Sequence, residues 1–314
     1  MARAPRTTRA THAGRSREPR MRNIDDALLR AWPLPAPDAD GDKDGRGRLL
    51  VIAGNRETPG AALLAATAAM RAGAGKVTVA TGERIAVMLG LAVPEVRVIA
   101  LPEGDDGALR RNAWRALDAL TAPFDAVLAG PGLGDEEGVA RVIDEALRRN
   151  DAATAILDAA ALPLLARGRL PPSTRAAHVA TPHAGEMARL TGLDKDAIEA
   201  DREFVAREAA ARLHAVVVLK GADTVIAAPD GRAWRHAGAN PGLAMSGSGD
   251  VLAGLIAGLA ARGTPAEQAA VWGVALHAAA GAAFARQLGP VGFLARELTA
   301  VVPALLAARA ARSR

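Results

Sequence analysis

A glycine-rich segment that ends in an acidic residue stands directly before an apolar run. It reads Asn-Pro-Gly-Leu-Ala-Met-Ser-Gly-Ser-Gly-Asp over residues 240–250, and residues 251–261 are apolar. If the apolar run is a helix, the N–H groups of its first turn attract an anion, and glycine lets a ligand approach them. These groups belong to Gly247, Ser248 and Gly249. Asp250 would face that anion, where a carboxylate can take a proton from a hydroxyl that attacks phosphorus. The pattern predicts a phosphoryl-transfer site, with an ordinary helix N-cap as the open alternative.

Three other polar residues are candidates for chemistry. Lys220 ends an apolar run over residues 216–219. A charge there is costly unless it meets an anion or a carboxylate, and we favour the anion. His183 follows a Thr-Pro turn directly after a predicted strand, which favours a ligand contact over a surface histidine. His277 lies in an alanine-rich apolar stretch, where we expect a packed core residue.

The elements that must position these residues alternate between strand and helix patterns. The predicted strands cover residues 48–53, 76–80, 126–129, 155–157, 177–180, 216–219 and 224–228. The predicted helices cover residues 60–72, 108–120, 138–148, 186–190, 196–213, 250–261, 265–287 and 295–309. This alternation predicts an α/β fold, a mostly parallel sheet between two helix layers. Loops after the strands are rich in glycine and polar residues, so they predict a long cleft at the carboxyl edge of the sheet.

Composition excludes several classes of function. The chain has 314 residues, of which 50% are hydrophobic, enough for one large α/β domain or two smaller ones, and we favour one. Cysteine is absent, which excludes disulfides, thiolate catalysis and cysteine-bound zinc. Tyrosine is also absent and aromatic residues make up 3%, so the stacking surfaces of a single-strand nucleic-acid binder are missing. We expect neither a nucleic-acid partner nor a membrane.

The high net charge is concentrated at the N-terminus. Residues 1–22 hold seven arginines and one glutamate, so this segment carries +6 and the rest of the chain −1 of the total +5. We expect a disordered basic tail at 1–22 and a single domain at 23–314, with a basic arm or transit peptide as alternatives. Met21 is a candidate for the native start. No signal-peptide core follows, which indicates a cytoplasmic protein, and the apolar stretch 269–285 is expected to be a buried helix, too short and too mild to span a bilayer.

Six motifs in order resemble one enzyme family. They are Gly60-Ala61, Gly130-Pro-Gly132, Leu157-Asp158, Thr181-Pro-His183-x-Gly-Glu186, Leu219-Lys-Gly-x-x-Thr224, and the segment that ends at Asp250. Over residues 24–310 the chain resembles the ADP-dependent NAD(P)H-hydrate dehydratases, metabolite-repair enzymes. The resemblance implies a ribokinase-like three-layer α/β/α sandwich without a lid domain. It also implies a stand-alone dehydratase, since only the short tail precedes the motifs.

The resemblance further implies the reaction and the residue roles. The S epimer of hydrated NADH or NADPH would be dehydrated while ADP becomes AMP and phosphate, with Mg²⁺ assisting and a homotetramer as the assembly. Asp250 would be the general base, and the amides of Gly247, Ser248 and Gly249 would form the anion hole. The hydrate would contact Ala61, Gly132, His183 and Asp250. The nucleotide would contact Lys220, Gly221, Ala222, Asp223, Thr224 and Gly249.

The sequence departs from the family pattern at three positions. Ala160 stands where a second carboxylate is common, Ala184 replaces a proline, and Ser246 replaces a glycine. Because of Ala160, any metal role of that loop rests on Asp158 alone, and the metal ligands stay open. Two rival functions also stay open, namely an ATP-dependent kinase of a vitamin-type alcohol with the same fold and a non-enzymatic nucleotide or nucleic-acid binder. The preference for ADP or ATP, and for the NADH or NADPH hydrate, is not determined.

Overall fold

A ten-stranded sheet forms the centre of the protein in the computed structural model, which describes residues 20–36, 42–134, 136–166 and 177–311. The strands are β1 (Arg22–Asn23), β2 (Arg48–Ile52), β3 (Lys76–Gly82), β4 (Arg97–Leu101), β5 (Ala126–Ala129), β6 (Thr154–Leu157), β7 (His178–Ala180), β8 (Ala215–Leu219), β9 (Thr224–Ala227) and β10 (Ala233–His236). Their order is β1-β10-β9-β8-β7-β6-β5-β2-β3-β4. All neighbours are parallel except the pairs that β9 makes with β8 and β10.

Helices cover both faces of this sheet. They are α1 (Asp26–Ala31), α2 (Pro59–Arg71), α3 (Glu83–Ala92), α4 (Glu137–Arg149), α5 (Leu162–Ala166), α6 (Ala184–Thr191), α7 (Lys195–Ala200), α8 (Arg202–Leu213), α9 (Ser248–Ala261), α10 (Ala266–Leu288) and α11 (Ala295–Ala311). Three short 3-10 helices lie at Ala113–Ala119, Ala159–Ala161 and Pro241–Leu243. Alternate residues of β2 enter different apolar cores, Leu49 with α2 and α9, and Leu50 with α4. A strand buried on both faces is expected between two helix layers, and the predicted three-layer α/β sandwich is confirmed.

Several predicted elements differ from those observed. The sequence patterns did not predict β1, α1, α3, β4, α5 or β10, and residues 108–120 form only the 3-10 helix Ala113–Ala119. On α3 the residues Val87 and Leu91 are more than 70% exposed although Ile85 and Leu89 are buried, so apolar residues on both sides of the helix obscure its buried face. The predicted helix 196–213 is two helices, because Asp201 takes an extended φ of −142° and its side chain accepts the N–H of Phe204. A local cap overrides an apolar pattern that continues across it.

Only residues 20–22 of the predicted N-terminal tail belong to the described part of the chain. Residues 1–19 lie outside the described residues, so disorder there stays a prediction. Arg22 is an exception, because it pairs with Trp234 in the edge strand β1, and Met21 packs against the core beside α8. The boundary of the predicted tail is therefore wrong at Arg22.

Helix α10 is the long apolar helix that the sequence placed in the core. It has 23 residues, and its most apolar 18 residues have a mean hydropathy of 1.3, so by length and composition alone it could cross a bilayer. Of those 18 residues, 61% are buried inside the protein. It packs on α9 and α11. The predicted burial is confirmed, whereas the expectation that this helix is too short to span a membrane is wrong.

Glycines bring α2 and α9 into close contact. A Cβ on Gly254 would fall on the carbonyl oxygen of Ala65, and one on Gly258 on that of Ala69. From the first contact to the second, the residue number rises by four on each helix, so α2 and α9 run in the same direction. Their N-terminal ends therefore lie at the same edge of the sheet.

We expect Gly258→Ala to lower the free energy of unfolding by about 1–3 kcal/mol, because the added methyl group must push α9 away from α2. Denaturant unfolding measures the change. Gly60→Ala is the control, since a Cβ there meets nothing within 4 Å. It should change stability by less than about 1 kcal/mol, in the stabilising direction. Equal stability of the two variants would contradict the close packing.

Candidate active site

Three neighbouring parallel strands deliver polar residues to one place. Strands β6, β7 and β8 lie side by side, so their carboxyl ends meet at the same edge. The first residues after these strands are Asp158, Thr181 and Lys220. The sequence identified all three loops, and the strand order brings them together.

Asp158 and Lys220 form a buried ion pair at this edge. Lys220 Nζ donates to Asp158 Oδ1 at 2.8 Å, and Thr181 Oγ1 donates to the same oxygen at 2.6 Å. Glu186 Oε2 lies 3.8 Å from the ammonium group. The side chain of Asp158 is 4% exposed and that of Lys220 is 18% exposed. Lys220 therefore meets a carboxylate, the partner that the sequence reading favoured less, and its contact with a ligand anion stays a prediction.

The same ammonium group lies at the start of α9. A Cβ on Gly249 would be 3.4 Å from Lys220 Nζ. Gly247 is the N-cap residue with φ 85°, and a Cβ there would lie 2.5 Å from Leu64 Cδ1 on α2, so this position requires glycine. The helix begins at Ser248, two residues before the predicted start, which places Asp250 inside the first turn. A positive side chain and a helix N-terminus thus converge, and both attract an anion.

One of the three amides of the predicted anion hole already has a hydrogen-bond acceptor within the protein. The N–H of Ser248 donates to the carbonyl of Met245 at 3.3 Å. Ser248 is also held through its side chain, since its Oγ lies 3.0 Å from Nε2 of His277 on α10. Burial lowers the pKa of His277 to about 4, so this imidazole is neutral at neutral pH. His277 is therefore more than the packed core residue that the sequence predicted, and no local sequence signal reveals this contact.

Asp250 is a half-buried carboxyl group in a charged environment. Desolvation and then the charge of Asp158 raise its pKa from 3.8 to about 6, while Lys220 acts in the opposite direction. The pKa of Lys220 is itself raised, because its acidic neighbours, above all Asp158, outweigh the desolvation that lowers it. At neutral pH the carboxylate of Asp250 is ionised and can accept a proton. A pKa close to the working pH suits a general base.

His183 caps helix α6 and lies beside the Lys220 loop. Its Nδ1 accepts the N–H groups of Gly185 at 3.0 Å and Glu186 at 3.3 Å, and Glu186 Oε2 accepts the N–H of His183 at 2.8 Å. The neutral imidazole must therefore carry its proton on Nε2. The backbone of Lys220 donates to the carbonyl of Pro182 at 2.8 Å. The side chain of His183 is 55% exposed, so Nε2 can meet a ligand while Nδ1 serves the cap.

Ala61 and Gly132 are brought together by the loops after β2 and β5. A Cβ on Gly132, where φ is 62°, would be 2.5 Å from Cβ of Ala61. Thr58 Oγ1 donates to the carbonyl of Gly132 at 2.9 Å and fixes the two loops to each other. Ala61 lies near the start of α2, which shares its direction with α9. Both residues are therefore at the edge that carries Asp250, and their contact with a hydrated dinucleotide stays a prediction.

The predicted nucleotide loop, Lys220 to Thr224, is fixed by residues that sequence reasoning missed. The carboxylate of Asp223 pairs with Arg235, whose hydrogen bond lowers the pKa of Asp223. Arg202 on α8 donates to the carbonyl of Asp223 at 3.0 Å. Thr224 Oγ1 donates to the carbonyl of Gly221 at 3.2 Å. Nucleotide binding by this loop and by Ala222 stays a prediction.

A protein-only metal cage is absent from the described part of the chain, where no three His, Asp or Glu residues cluster. Ala160 lies in the 3-10 helix that follows Asp158 and offers no ligand atom. Mg²⁺ usually binds one or two carboxylates and completes its shell with phosphate oxygens and water. Asp158 and Asp250 fit that kind of site.

Comparison with known proteins identifies the family. The family model of the NAD(P)H-hydrate dehydratases matches residues 49–304. The chain is also 48% identical over 288 residues to the ADP-dependent (S)-NAD(P)H-hydrate dehydratase of Xanthomonas campestris, covering 92% of this chain and 97% of that protein. The chain belongs to the NAD(P)H-hydrate dehydratase family.

Longer members of the dehydratase family also match. The bifunctional NAD(P)H-hydrate repair enzyme of Moorella thermoacetica is 41% identical over 283 residues, which are 89% of this chain and 53% of that enzyme. The chain therefore spans about half the length of such bifunctional relatives.

Solved structures agree with this family membership. The ADP/ATP-dependent NAD(P)H-hydrate dehydratase of Bacillus subtilis, co-crystallised with ATP and Mg²⁺, superposes with a TM-score of 0.80 at 34% identity, covering 92% of this chain and 99% of that one. A ribokinase-like superfamily protein of Enterococcus faecalis gives a TM-score of 0.77 at 27% identity, with 92% and 96% covered. The predicted ribokinase-like fold is confirmed.

We expect Asp250→Asn to stabilise the protein more at pH 8 than at pH 5. Because the pKa of Asp250 is raised in the folded state, the folded protein binds more protons than the unfolded chain between about pH 4 and pH 6. The free energy of unfolding of the wild-type protein therefore falls as the pH rises through this window. An asparagine side chain does not ionise, so the variant avoids this loss. The gain at pH 8 should be about 1–2 kcal/mol, since the helix N-terminus offsets part of the cost.

Thermal unfolding at the two pH values measures this difference. Asp196→Asn, an exposed residue in the first turn of α7, is the control and should change stability by less than about 0.5 kcal/mol at either pH. A loss of stability for Asp250→Asn at pH 8 would contradict the raised pKa.

Proposed function

We propose that the protein catalyses the ADP-dependent dehydration of the S epimers of NADH hydrate and NADPH hydrate, which regenerates NAD(P)H with release of AMP and phosphate. The observation that carries this proposal is the carboxylate of Asp250, with its raised pKa, in the first turn of α9 beside Lys220. The reaction named for the Xanthomonas relative, which is similar over nearly the whole chain, supports it.

The chemical problem is a poor leaving group. Hydration leaves a hydroxyl on carbon 6 of the nicotinamide ring, and hydroxide is too basic to leave readily near neutral pH. In the proposed reaction Asp250 takes the hydroxyl proton while the oxygen attacks the terminal phosphorus of ADP. An O–P bond forms, the P–O bond to AMP breaks, and the ring carries a phosphate ester.

The second half of the reaction removes that ester. The lone pair of the ring nitrogen expels phosphate as the C–O bond breaks, and loss of a ring proton restores the dihydronicotinamide. No electrons are gained or lost overall. The protein has to keep the ring hydroxyl within hydrogen-bond reach of Asp250 and in line with the P–O bond to AMP.

Charge stabilisation at the phosphoryl group is assigned to Lys220 and to the start of α9. The ammonium group of Lys220 is fixed by Asp158 at 2.8 Å, so it needs little reorganisation when the nucleotide binds. Gly249 lies beside it, since a Cβ on Gly249 would be 3.4 Å from Lys220 Nζ. We assign the hydrate pocket to Ala61, Gly132, His183 and Asp250. The nucleotide is assigned to Gly221, Ala222, Asp223 and Thr224 together with Lys220 and Gly249.

Mg²⁺ is proposed to enter with the nucleotide. When bound it neutralises charge on the phosphate oxygens. Asp158 is the residue that would hold it, directly or through water, because Asp250 has to stay available for the proton. The Bacillus relative crystallised with ATP and Mg²⁺ supports a metal nucleotide as co-substrate.

The experiment is a turnover assay with purified protein. Chemically hydrated NADH, Mg²⁺ and either ADP or ATP should give phosphate and the absorbance band of reduced nicotinamide. A kinase of the same fold would instead accumulate a phosphorylated alcohol and restore no absorbance. Running the assay with hydrates of NADH and NADPH decides between the two substrates. A homotetramer and a cytoplasmic location stay predictions of the sequence.

We expect Asp250→Asn to lower kcat by roughly 10² to 10⁴, the range of a lost general base, with ADP binding nearly intact. In the wild-type enzyme, kcat/KM should fall as the pH drops below about 6, because protonation removes the base. A pH–rate series and ADP titration calorimetry measure the two effects. Full activity of the variant would remove Asp250 from the mechanism.

We expect His183→Ala to raise the KM of the hydrate and to leave the KM of ADP nearly unchanged. The exposed imidazole would lose one contact, worth about 1 kcal/mol or roughly fivefold in KM. His183→Asn is the matched comparison, since asparagine also caps helices and keeps α6 in place. An unchanged hydrate KM in both variants would exclude His183 from the pocket.

A further inference from the structure

Arg202 is the first residue of α8, and its side chain packs against the loop that follows β8. The residue before it, Asp201, caps the helix by accepting the N–H of Phe204 at 3.1 Å. The side chain of Arg202 is only 12% exposed. Burying a guanidinium requires partners for its N–H groups.

Those partners are the carbonyl group of the last residue of β8 and two carbonyl groups of the loop that follows it. Nη2 donates to the carbonyl of Leu219 at 2.9 Å and to that of Lys220 at 2.8 Å, and Nε donates to that of Asp223 at 3.0 Å. Nη1 donates to Glu199 Oε2 at 2.7 Å. Arginine is suited to this arrangement because its N–H donors form a rigid planar fork.

Gly221 lies at the point of closest approach. A Cβ on Gly221 would be 2.5 Å from Nη2 and 2.8 Å from Cζ of Arg202. The loop backbone therefore curves around the guanidinium. Any side chain at residue 221 would displace either the loop or the guanidinium group.

This contact fixes Lys220 at a third point. The carbonyl of Lys220 binds Arg202, its N–H binds Pro182, and its Nζ binds Asp158. The position of the Lys220 ammonium group at the start of α9 thus depends on the conformation of this loop. Arg202 holds that conformation through the loop backbone. A loop held in one conformation binds its ligand without an ordering cost.

We propose that Arg202 is a positioning residue that presets the Lys220 to Thr224 loop for the nucleoside diphosphate. It touches neither substrate and acts through the loop backbone. The inference rests on the proposed function, in which this loop binds the nucleotide.

The test is Arg202→Lys, which keeps the charge and loses the fork. A lysine ammonium group cannot span the three carbonyl groups, and loss of charge-assisted hydrogen bonds to two of them should raise the KM and the calorimetric Kd of Mg-ADP by about 10- to 100-fold. The hydrate KM should change less than about threefold, since the hydrate pocket is assigned to residues outside this loop. Arg212→Lys is the control on the same helix, because Arg212 donates to the carbonyl of Leu190 and, among the described residues, to no carbonyl of the loop after β8. It should leave all constants unchanged.

The outcomes distinguish failure of the proposed function from failure of the role assigned to Arg202. Wild-type protein that neither binds Mg-ADP nor turns over the hydrate refutes the proposed function itself. Wild-type protein that does both, with unchanged Mg-ADP constants in Arg202→Lys, overturns the role of Arg202 alone. Equal weakening of both substrates with a lowered melting temperature would show a merely structural role, and would also overturn it.

A second variant covers a failure of Arg202→Lys to fold. Gly221→Ala leaves the guanidinium in place and pushes a methyl group onto it. It should weaken Mg-ADP in the same direction while the hydrate KM stays constant. Unchanged Mg-ADP binding in this variant would refute the preset loop.

Discussion

The buried ion pair between Lys220 and Asp158 is the interaction on which the arrangement of the site depends. An ammonium group this far from water is tolerated only because Asp158 and Glu186 face it. Its partner Asp158 is fixed in turn by Thr181. One ion pair and one hydrogen bond thereby join the ends of three strands. The ammonium group of Lys220 lies at the start of α9, where it can attract a phosphoryl group.

The raised pKa of Asp250 follows from that arrangement. Burial and the negative charge of Asp158 make its ionised form costly, and Lys220 compensates only in part. The protein accepts this cost at the one carboxylate whose proposed role is to take up a proton. Functional groups commonly lower the stability of the folded protein in this way, because the environment that suits activity is not the one that stabilises the fold.

The loops are made rigid by contacts that lie behind the site. Arg202 holds the backbone of the Lys220 loop, Arg235 binds the side chain of Asp223, and His277 orients Ser248. None of these three residues needs to touch a ligand. They decide instead how little the loops have to reorganise when one binds.

Much of the fold and of the candidate site could be read from the sequence, because its signals are local. Alternating apolar strands and helices predicted the sandwich, and glycine followed by Asp250 before an apolar run predicted the helix start. Contact between Lys220 and Asp158 could not be read in this way, since 62 residues separate them and only the adjacency of β6, β7 and β8 joins their loops. Arg202 and His277 stayed hidden for the same reason, because the partner of a helix residue is known only after the helices are packed.

The sequence by itself determined which chemical groups stand at the strand ends and the order in which they occur. The tertiary structure alone decided which of them meet, because strand order and helix packing act between residues far apart in the chain.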